Sequence, residues 1–208
     1  METIGDKLRN AWRRYGWWGV VQHLATKSLR LLGITCHRHH LWQHRLEKVT
    51  DIALPTYQSL AFSDFERHQA DDPMWFTPTK MAKLARYYRV PGNRVFGCFE
   101  AGRLVAYGWI SEQYMGYSKR RLESGDGYLW DGYTHPAHRG RGWHGHLIRI
   151  REVELQKAGK ERALSVVAHF NRASRRGFQR VGYTLLEGYT FGRWWGRPFS
   201  TLRYGRVE

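Results

Sequence analysis

The chain has 208 residues with 34 Lys or Arg and 18 Asp or Glu, which gives a formal net charge of +16 at pH 7. This excess predicts an anionic partner, such as a nucleic acid, a lipid surface or a phosphorylated cofactor. Two cysteines make no disulfide framework, so a cytoplasmic location is expected. No apolar run is long enough to span a membrane, and we expect no signal peptide.

The N-terminal residues have the pattern of a basic amphipathic helix. From Trp17 to Leu32, apolar side chains fall on one wide helical face and polar ones on the other. We therefore separate a basic amphipathic helical extension, residues 1–45, from a main domain of residues 46–208. The helix, predicted over residues 1–33, either docks on its own domain or binds a membrane or partner surface, and both alternatives stay open.

A histidine-rich segment follows this helix. His40 and His44 have the spacing of metal ligands on a helix, but no Glu follows His40 and no second Cys lies nearby. We therefore predict no metal site and interpret the segment as a basic surface strand or loop. An edge strand from Arg45 to Val49 is expected to enter the main domain.

The middle of the chain predicts two helices and then a β-hairpin. The helical pattern breaks at the Asp-Asp-Pro run of residues 71–73, and the Ala-Gly pair at 101–102 is typical of a tight turn. The predicted elements are two helical pieces between residues 56 and 90, strands at 95–100, 104–110 and 128–134, and a charged loop at 117–126.

A glycine-rich turn follows the strand that ends at Thr134. Gly140 and Gly142 permit backbone conformations that bring the main chain close to a ligand. The free N–H groups and dipole of the following helix favour an anion, and Arg139 and Arg141 add positive charge. The turn therefore predicts binding of a pyrophosphate by the backbone.

The remainder of the chain predicts alternating helices and strands. The order of elements implies an α/β fold with a mixed, mostly antiparallel central sheet and helices on both faces. The predicted elements are a helix to Lys157, a strand at 163–168, a helix capped by Asn171 and ending near Val181, and strands at 183–191 and 199–204.

Two motifs at a fitting distance resemble those of the GNAT superfamily of acyl-CoA-dependent N-acetyltransferases. The first, from Pro136 to His144, is similar to the Arg/Gln-x-x-Gly-x-Gly/Ala pyrophosphate loop of that family. The second, from Val167 to Tyr183, has an Asn after a strand, a small residue three positions on, an aromatic residue and then Gly-aromatic. The resemblance covers about half of the chain strongly and leaves out the N-terminal helix.

The resemblance implies an acyl-CoA donor, most simply acetyl-CoA, and no metal. It implies that the backbone of the turn holds the pyrophosphate, that the end of the preceding strand runs beside the pantetheine arm, and that the second motif lines the cofactor. The implied cofactor-binding residues are Tyr133, Thr134, His135, Arg139, Gly140, Arg141, Gly142, Trp143, His144, Asn171, Ser174 and Phe178. For Asn171, a plain helix cap is the alternative.

Two residues depart from the family pattern. His144 stands where Gly or Ala is usual, so its side chain either crowds the phosphates or binds them through the imidazole. Phe178 stands where many members have a tyrosine as general acid, and a phenyl ring donates no proton. Tyr183 or a water molecule is an alternative donor, or none is needed because a thiolate leaves readily.

Asp131 is the candidate general base, since it is the one carboxylate near the end of the strand that precedes the turn. The alternative is that it only pairs with a basic side chain. Glu123 and Asp126 are rival carboxylates that would bind the acceptor.

The acceptor itself is left open by the sequence. A small amine, a protein N-terminus and an amino sugar or lipid-linked envelope glycan all fit, and the basic N-terminal helix favours the last. One alternative function is a basic nucleic-acid-binding or RNA-modifying protein, although no RNA-recognition motif is present. Another is a non-catalytic acyl-CoA sensor, which Phe178 suggests.

Overall fold

The computed structural model describes residues 34–46, 54–71, 75–115, 120–195 and 197–204, together with residues 21, 24 and 25. Apart from residues 21, 24 and 25, the predicted N-terminal helix lies outside the described residues, so its docking and its membrane contact stay predictions. The chain divides into a larger unit, residues 43–165 and 177–183, and a smaller unit, residues 1–42, 166–176 and 184–208.

The strands are β1 Ile34–Arg45, β2 Tyr57–Ser59, β3 Asn93–Glu100, β4 Arg103–Ser111, β5 Tyr114–Met115, β6 Arg120–Arg121, β7 Asp126–Thr134, β8 Arg162–Ala168, β9 Thr184–Trp194 and β10 Arg197–Tyr204. The helices are α1 Phe62–Asp71, α2 Pro78–Tyr88, α3 Trp143–Lys157 and α4 Arg172–Arg180. The fold is α/β, as predicted.

The sheet of the larger unit has the strand order β8-β7-β4-β3-β2. The pairs β2–β3, β3–β4 and β4–β7 are antiparallel, and β7–β8 is parallel. The sheet is therefore mixed and mostly antiparallel, which confirms the prediction. The predicted hairpin is β3 and β4, with its turn at Ala101 and Gly102, both in left-handed backbone conformations.

Helices cover both faces of this sheet. Tyr107 of β4 packs against Phe65 of α1, with ring centres 5.1 Å apart, and Trp109 packs against Tyr88 of α2 at 4.9 Å. Gly108, between them in the sequence, lies against Arg151 of α3. Because neighbouring residues of a strand face opposite ways, α1 and α2 lie on one face and α3 lies on the other.

The core between the sheet and the first two helices is mainly aromatic. Its rings meet in tilted and edge-on arrangements, which contribute about 0.5–1.5 kcal/mol per pair beyond the burial of apolar area. The buried members are Leu60, Phe65, Trp75, Phe76, Met81, Leu84, Val95, Leu104, Tyr107 and Trp109.

Local signals account for the ends of α2 and α3. Thr77 caps α2 by accepting a hydrogen bond from the N–H of Lys80, and Pro78 occupies the first helical turn. Gly159, with φ of +74°, follows the last turn of α3 and stops it. No helix in the described part of the chain is both long and apolar enough to span a bilayer.

The smaller unit contains the hairpin of β9 and β10, which pair antiparallel, with β1 beside β9. The turn of this hairpin is at Trp195, which has φ of +50° and is exposed. Both strands are longer than predicted, so the loop expected between residues 191 and 199 is mostly strand.

Residues 34–45 form β1, so the histidine-rich segment is a strand, one of the two predicted alternatives, and the helical part of the extension does not reach residue 45. The centre of this strand is not at the surface, because His39, His40, Leu41 and Trp42 are all buried. A strand covered on both faces shows no alternation of polar and apolar residues, so the sequence lacks the two-residue repeat that identifies a half-buried strand. Of the edge strand predicted from Arg45 to Val49, Arg45 is the last residue of β1, and residues 47–49 lie outside the described part.

Two shorter segments also differ from the prediction. Tyr57–Ser59 was included in a helical piece, but it pairs with β3, so tertiary pairing overrides local helical preference. The charged loop predicted at residues 117–126 contains β6, which pairs with β5 in a short hairpin.

Candidate functional site

The glycine-rich turn joins β7 to α3 through a short 3-10 helix, Pro136–His138. Gly140 and Gly142 have φ values of +80° and +83°, a conformation that side chains oppose. A methyl group added at Gly140 would meet no described atom within 4 Å. Backbone conformation rather than crowding within the protein therefore explains the glycine, and the turn is open to a ligand.

The helix that follows begins without a side-chain cap. Gly142 is the N-cap of α3 and offers no side-chain hydrogen bond. The first N–H groups of a helix have no acceptor inside the helix, and the helix dipole adds partial positive charge there. The turn and the start of α3 thus present uncapped backbone donors, which is the arrangement that binds phosphate groups.

The arginines of the turn are exposed and differently engaged. Arg139 donates from Nε to the carbonyl of Thr134 at 3.3 Å, and no described carboxylate forms an ion pair with it. Arg141 lies 3.2 Å from Glu100, which also contacts His138 at 2.7 Å. Arg139 therefore carries the less compensated charge of the two.

The end of β7 extends beyond its pairing with β8. The parallel pairs run from Asp126–Arg162 to Leu129–Ser165, whereas β7 continues to Thr134. On its other side β7 stays bound to β4, and the N–H of His135 donates to the carbonyl of Val105 at 2.8 Å. Tyr133 and Thr134 therefore belong to a stretch of edge that can accept an added strand-like ligand.

A β-bulge interrupts β7 just before this stretch. Tyr107 pairs with Tyr133 and Trp109 with Trp130, so two residues of β7 face one of β4. Asp131, in the bulge, has φ of +41°, which is a strained conformation costing about 1–3 kcal/mol. Such strain is common at functional sites.

The bulge places Asp131 on the face covered by α2. Its Oδ1 lies 3.2 Å from Nζ of Lys83, while the neighbouring Trp130 packs on Tyr87 of the same helix. Burial lowers the pKa of Lys83, but attraction to Asp131 and hydrogen bonding to Tyr87 outweigh it and raise the pKa overall. The partner of Asp131 is thus a lysine at a half-buried position.

The two rival carboxylates are engaged elsewhere. Asp126 is buried and accepts two hydrogen bonds from Arg162, at 2.6 and 2.9 Å, and Glu123 accepts a third at 3.0 Å. Their role in the structure is to bind one arginine at the start of β8, not to border the open stretch of β7.

The imidazole of His144 packs against α4. Its ring meets that of Phe178 edge-on at 5.8 Å, and a methyl group at Gly177 would lie 2.4 Å from its Cδ2. Burial, with a smaller effect from Arg151, lowers the pKa of His144 to about 4. The ring is therefore neutral at pH 7 and occupies the space that Gly177 leaves.

Lowering the pH should destabilise the fold through His144. Its pKa is about 4 in the folded chain and about 6.5 when unfolded, so the unfolded state binds more protons between these values. The contribution of His144 to the free energy of unfolding is full above pH 6.5 and falls by about 3 kcal/mol as the pH drops to 4. The Tm of His144→Asn should therefore fall less steeply with pH across this window than the Tm of the wild type, although His40, with pKa also near 4, still contributes. Equal slopes for both proteins would contradict this assignment.

Phe178 and Tyr183 form one buried aromatic contact. Their ring centres are 4.8 Å apart, and Tyr183 also packs on His44 at 5.1 Å. Burial raises the pKa of Tyr183 well above its usual value, so the hydroxyl stays protonated. Tyr183 holds a proton but is enclosed between two rings, and the structure does not single it out as the acid.

The second motif lies partly in the smaller unit. Asn171 caps α4, because its Oδ1 accepts a hydrogen bond from the N–H of Ser174 at 3.1 Å. The capping alternative for Asn171 is therefore present, and the cap brings these two predicted residues together. Their contact with a cofactor stays a prediction.

The histidines with metal-ligand spacing have other neighbours. His40 Nε2 lies 2.9 Å from Nδ1 of His169, and His44 Nδ1 lies 2.7 Å from the buried carboxylate of Glu152. Among the described residues, no group of three or more His, Cys, Asp or Glu side chains is arranged to hold a metal ion.

Sequence reasoning missed Arg151. This arginine is 1% exposed and lies under the bulge of β7. The available signal was its position four residues after Leu147, on the buried side of α3 that also contains Leu155.

Residues 47–183 match the acetyltransferase (GNAT) family. An L-methionine sulfoximine/L-methionine sulfone acetyltransferase of Salmonella typhimurium is 28% identical over 119 residues, covering 50% of this chain and 70% of that protein.

Two solved structures share the fold. A GNAT-family acetyltransferase from Colwellia psychrerythraea has a TM-score of 0.55 at 14% identity, over 81% of this chain and 57% of that one. A conserved protein of unknown function from Staphylococcus epidermidis has a TM-score of 0.54 at 10% identity, over 93% and 82%. Since the family match covers more than half of the sequence, the chain belongs to the acetyltransferase (GNAT) family.

Proposed function

We propose that this protein transfers an acetyl group from acetyl-CoA to an amine acceptor. The observation that carries the proposal is the uncapped start of α3, which follows two left-handed glycines at the end of a strand with an open edge. Family membership supplies the reaction class, and this arrangement supplies a place for the donor.

The residues of the turn fit the pyrophosphate of coenzyme A. Backbone N–H groups of residues 139–144 would hold it, with Arg139 adding charge. His144 is turned against Phe178, so the side chain that departs from the family pattern leaves the turn open. The main chain of Tyr133, Thr134 and His135 would run beside the pantetheine arm, although His135 already bonds to β4 through its N–H.

Asp131 is suited to receive the acceptor amine. An ammonium group must lose a proton before its nitrogen attacks a carbonyl, and a nearby carboxylate both attracts the ammonium form and takes the proton. The 3.2 Å contact with Lys83 supports this role, because it shows that the carboxylate accommodates an ammonium group. Phe178 has no proton to give, and a thiolate whose thiol has a pKa of about 8.5 leaves without a general acid.

We propose a small primary amine as the acceptor. The Salmonella relative is named for acetylation of two small amino-acid analogues, which favours this class over a glycan. An amino sugar or lipid-linked acceptor at the inner membrane face remains a second proposal, and it rests on the basic sequence of residues 1–33.

Coenzyme A and acetyl-CoA should stabilise the folded protein. A ligand at about one hundred times its Kd adds about 2.7 kcal/mol, which raises the Tm of a domain of this size by about 5–10 °C. Pantetheine, which lacks the pyrophosphate, should give a smaller shift at equal concentration. No shift with either coenzyme would refute the proposed donor site.

A non-catalytic acyl-CoA sensor is the second candidate, because Phe178 replaces a proton donor. It shares the predicted stabilisation by coenzyme A. It differs in releasing no thiol from acetyl-CoA when amines are added.

A further inference from the structure

Arg151 is a buried charged side chain that forms no ion pair with any described carboxylate. It is 1% exposed, and Glu152 and Asp131 attract its guanidinium without forming an ion pair with it. Nε donates to the carbonyl of Leu147 at 3.0 Å, and Nη1 donates to those of Trp109 and Trp130, both at 3.3 Å. Nη2 has no hydrogen-bond partner among the described residues.

Burying such a group has a large desolvation cost. Burial lowers the pKa of Arg151 to about 10, which still leaves the guanidinium charged at pH 7. An unpaired buried charge costs several kcal/mol, and a well-packed apolar side chain of similar volume would avoid this cost. Stability alone therefore does not explain an arginine at this position.

Two glycines on neighbouring strands make the space for the guanidinium. A methyl group at Gly108 of β4 would lie 3.0 Å from Cζ and Nη1 of Arg151, and one at Gly132 of β7 would lie 3.4 Å from Nη2. The guanidinium thus lies flat under both strands, and Nη2 is directed at the residue that follows Asp131.

This slot coincides with the bulge of β7. Arg151 bonds the carbonyl of Trp130, which is the residue before the strained Asp131, and the carbonyl of Trp109, which is the β4 partner of Trp130. A single planar group therefore ties both strands together where the pairing register shifts. Strained backbone persists only when its surroundings determine it strongly, and this contact provides that constraint.

We propose that Arg151 is a positioning residue for acyl transfer, which fixes the β7 bulge and so holds the Asp131 carboxylate and the open edge of β7 in place. This inference rests on the proposed function. Arg151 acts through the backbone of residues 130–132 and not by contact with the acceptor. A displacement of about 1 Å in such an arrangement lowers the rate by about 100-fold.

Replacing Arg151 by methionine tests the proposal. Methionine fills the slot without charge, and such exchanges of buried ions are often neutral or stabilising, so the Tm should be unchanged or higher. We expect kcat for acetyl transfer to fall by about 10- to 100-fold, with KM for acetyl-CoA changed by less than about threefold. A purely structural residue would instead change the Tm and leave kcat of the folded protein intact.

Hydrogen exchange gives a readout that needs no substrate. Amide exchange in residues 130–134 should be about tenfold faster in Arg151→Met than in the wild type, since the bulge loses its anchor. Arg149→Met is the matched control, because Arg149 lies on the same helix and bonds Glu152 instead. The control should leave exchange in residues 130–134 unchanged.

Arg151→Lys serves if the methionine variant fails to fold. Lysine keeps the charge, but its single ammonium does not reproduce the planar fork that spans two strands, so the same faster exchange is expected. Wild-type exchange in residues 130–134 together with wild-type kcat, in either folded variant, overturns the proposal. Coenzyme A stabilisation of the wild type is measured separately, and its absence would refute the proposed function while the exchange result still decides the role of Arg151.

Discussion

Replacing Gly140 by leucine should abolish stabilisation by coenzyme A, whereas the same change at Gly159 should leave it intact. Both glycines have left-handed backbone, with φ of +80° and +74°, and a methyl group at either meets no described atom within 4 Å. They differ in position, since Gly140 precedes α3 and Gly159 follows it. Only the leucine at residue 140 would occupy the space of the pyrophosphate, so about 2.7 kcal/mol of ligand stabilisation is lost there. Thermal unfolding with saturating coenzyme A measures this.

Comparing the two glycine variants also controls for backbone strain. A residue with a side chain in left-handed conformation costs about 1–2 kcal/mol, so both variants should lose a similar amount of stability without ligand. A full ligand-induced shift in Gly140→Leu would place the pyrophosphate elsewhere in the molecule.

Replacing Asp131 by asparagine should lower kcat by about 100- to 10,000-fold, the usual contribution of a general base. Asparagine tolerates the positive φ of +41° better than other residues and has nearly the same shape, so the Tm should change little. KM for acetyl-CoA should stay close to the wild-type value, because the carboxylate is assigned to the acceptor. Steady-state measurement of thiol release gives both constants.

Lys83→Met separates loss of the carboxylate from loss of the ion pair. It breaks the same 3.2 Å contact and keeps Asp131. We expect its kcat to fall by less than about tenfold, the smaller effect of losing a partly exposed ion pair. Equal losses of kcat in the two variants would show that the ion pair, and not the carboxylate alone, supports the reaction. An unchanged kcat in Asp131→Asn would show that Asp131 is not the general base.

Sequence patterns predicted the central elements because their signals are local. The hairpin of β3 and β4 has its turn residues in place, and α3 begins after the glycine-rich turn and ends just before Gly159. The burial of β1 was missed for a physical reason. The centre of this strand carries consecutive buried residues, and its histidines at positions 39 and 40 have the composition of a polar surface.

The candidate site likewise has a part that the sequence predicts locally and a part that depends on contacts between distant residues. The turn of residues 139–144 is one short segment, so a motif finds it. The pairing of Asp131 with Lys83, the orientation of His144 towards Gly177, and the guanidinium of Arg151 under β4 and β7 all join residues distant in the sequence.

The bulge is the least predictable feature, since nothing in the sequence near Asp131 indicates that the register between β4 and β7 changes there. It becomes visible only in the pairing of β7 with β4, where Tyr107 and Trp109 bracket Gly108. A glycine opposite an acidic residue in a strand is a weak signal, but Gly108, Gly132 and Arg151 together would have marked the slot.

Thiol release from acetyl-CoA in the presence of small primary amines is the decisive test of acetyl transfer. We expect at least one amine in a panel that includes amino-acid analogues to accelerate release, with one acetylated amine formed per thiol. Asp131→Asn should abolish the acceleration. Stabilisation by coenzyme A without amine-dependent thiol release, across the panel, would contradict acetyl transfer and support the non-catalytic sensor.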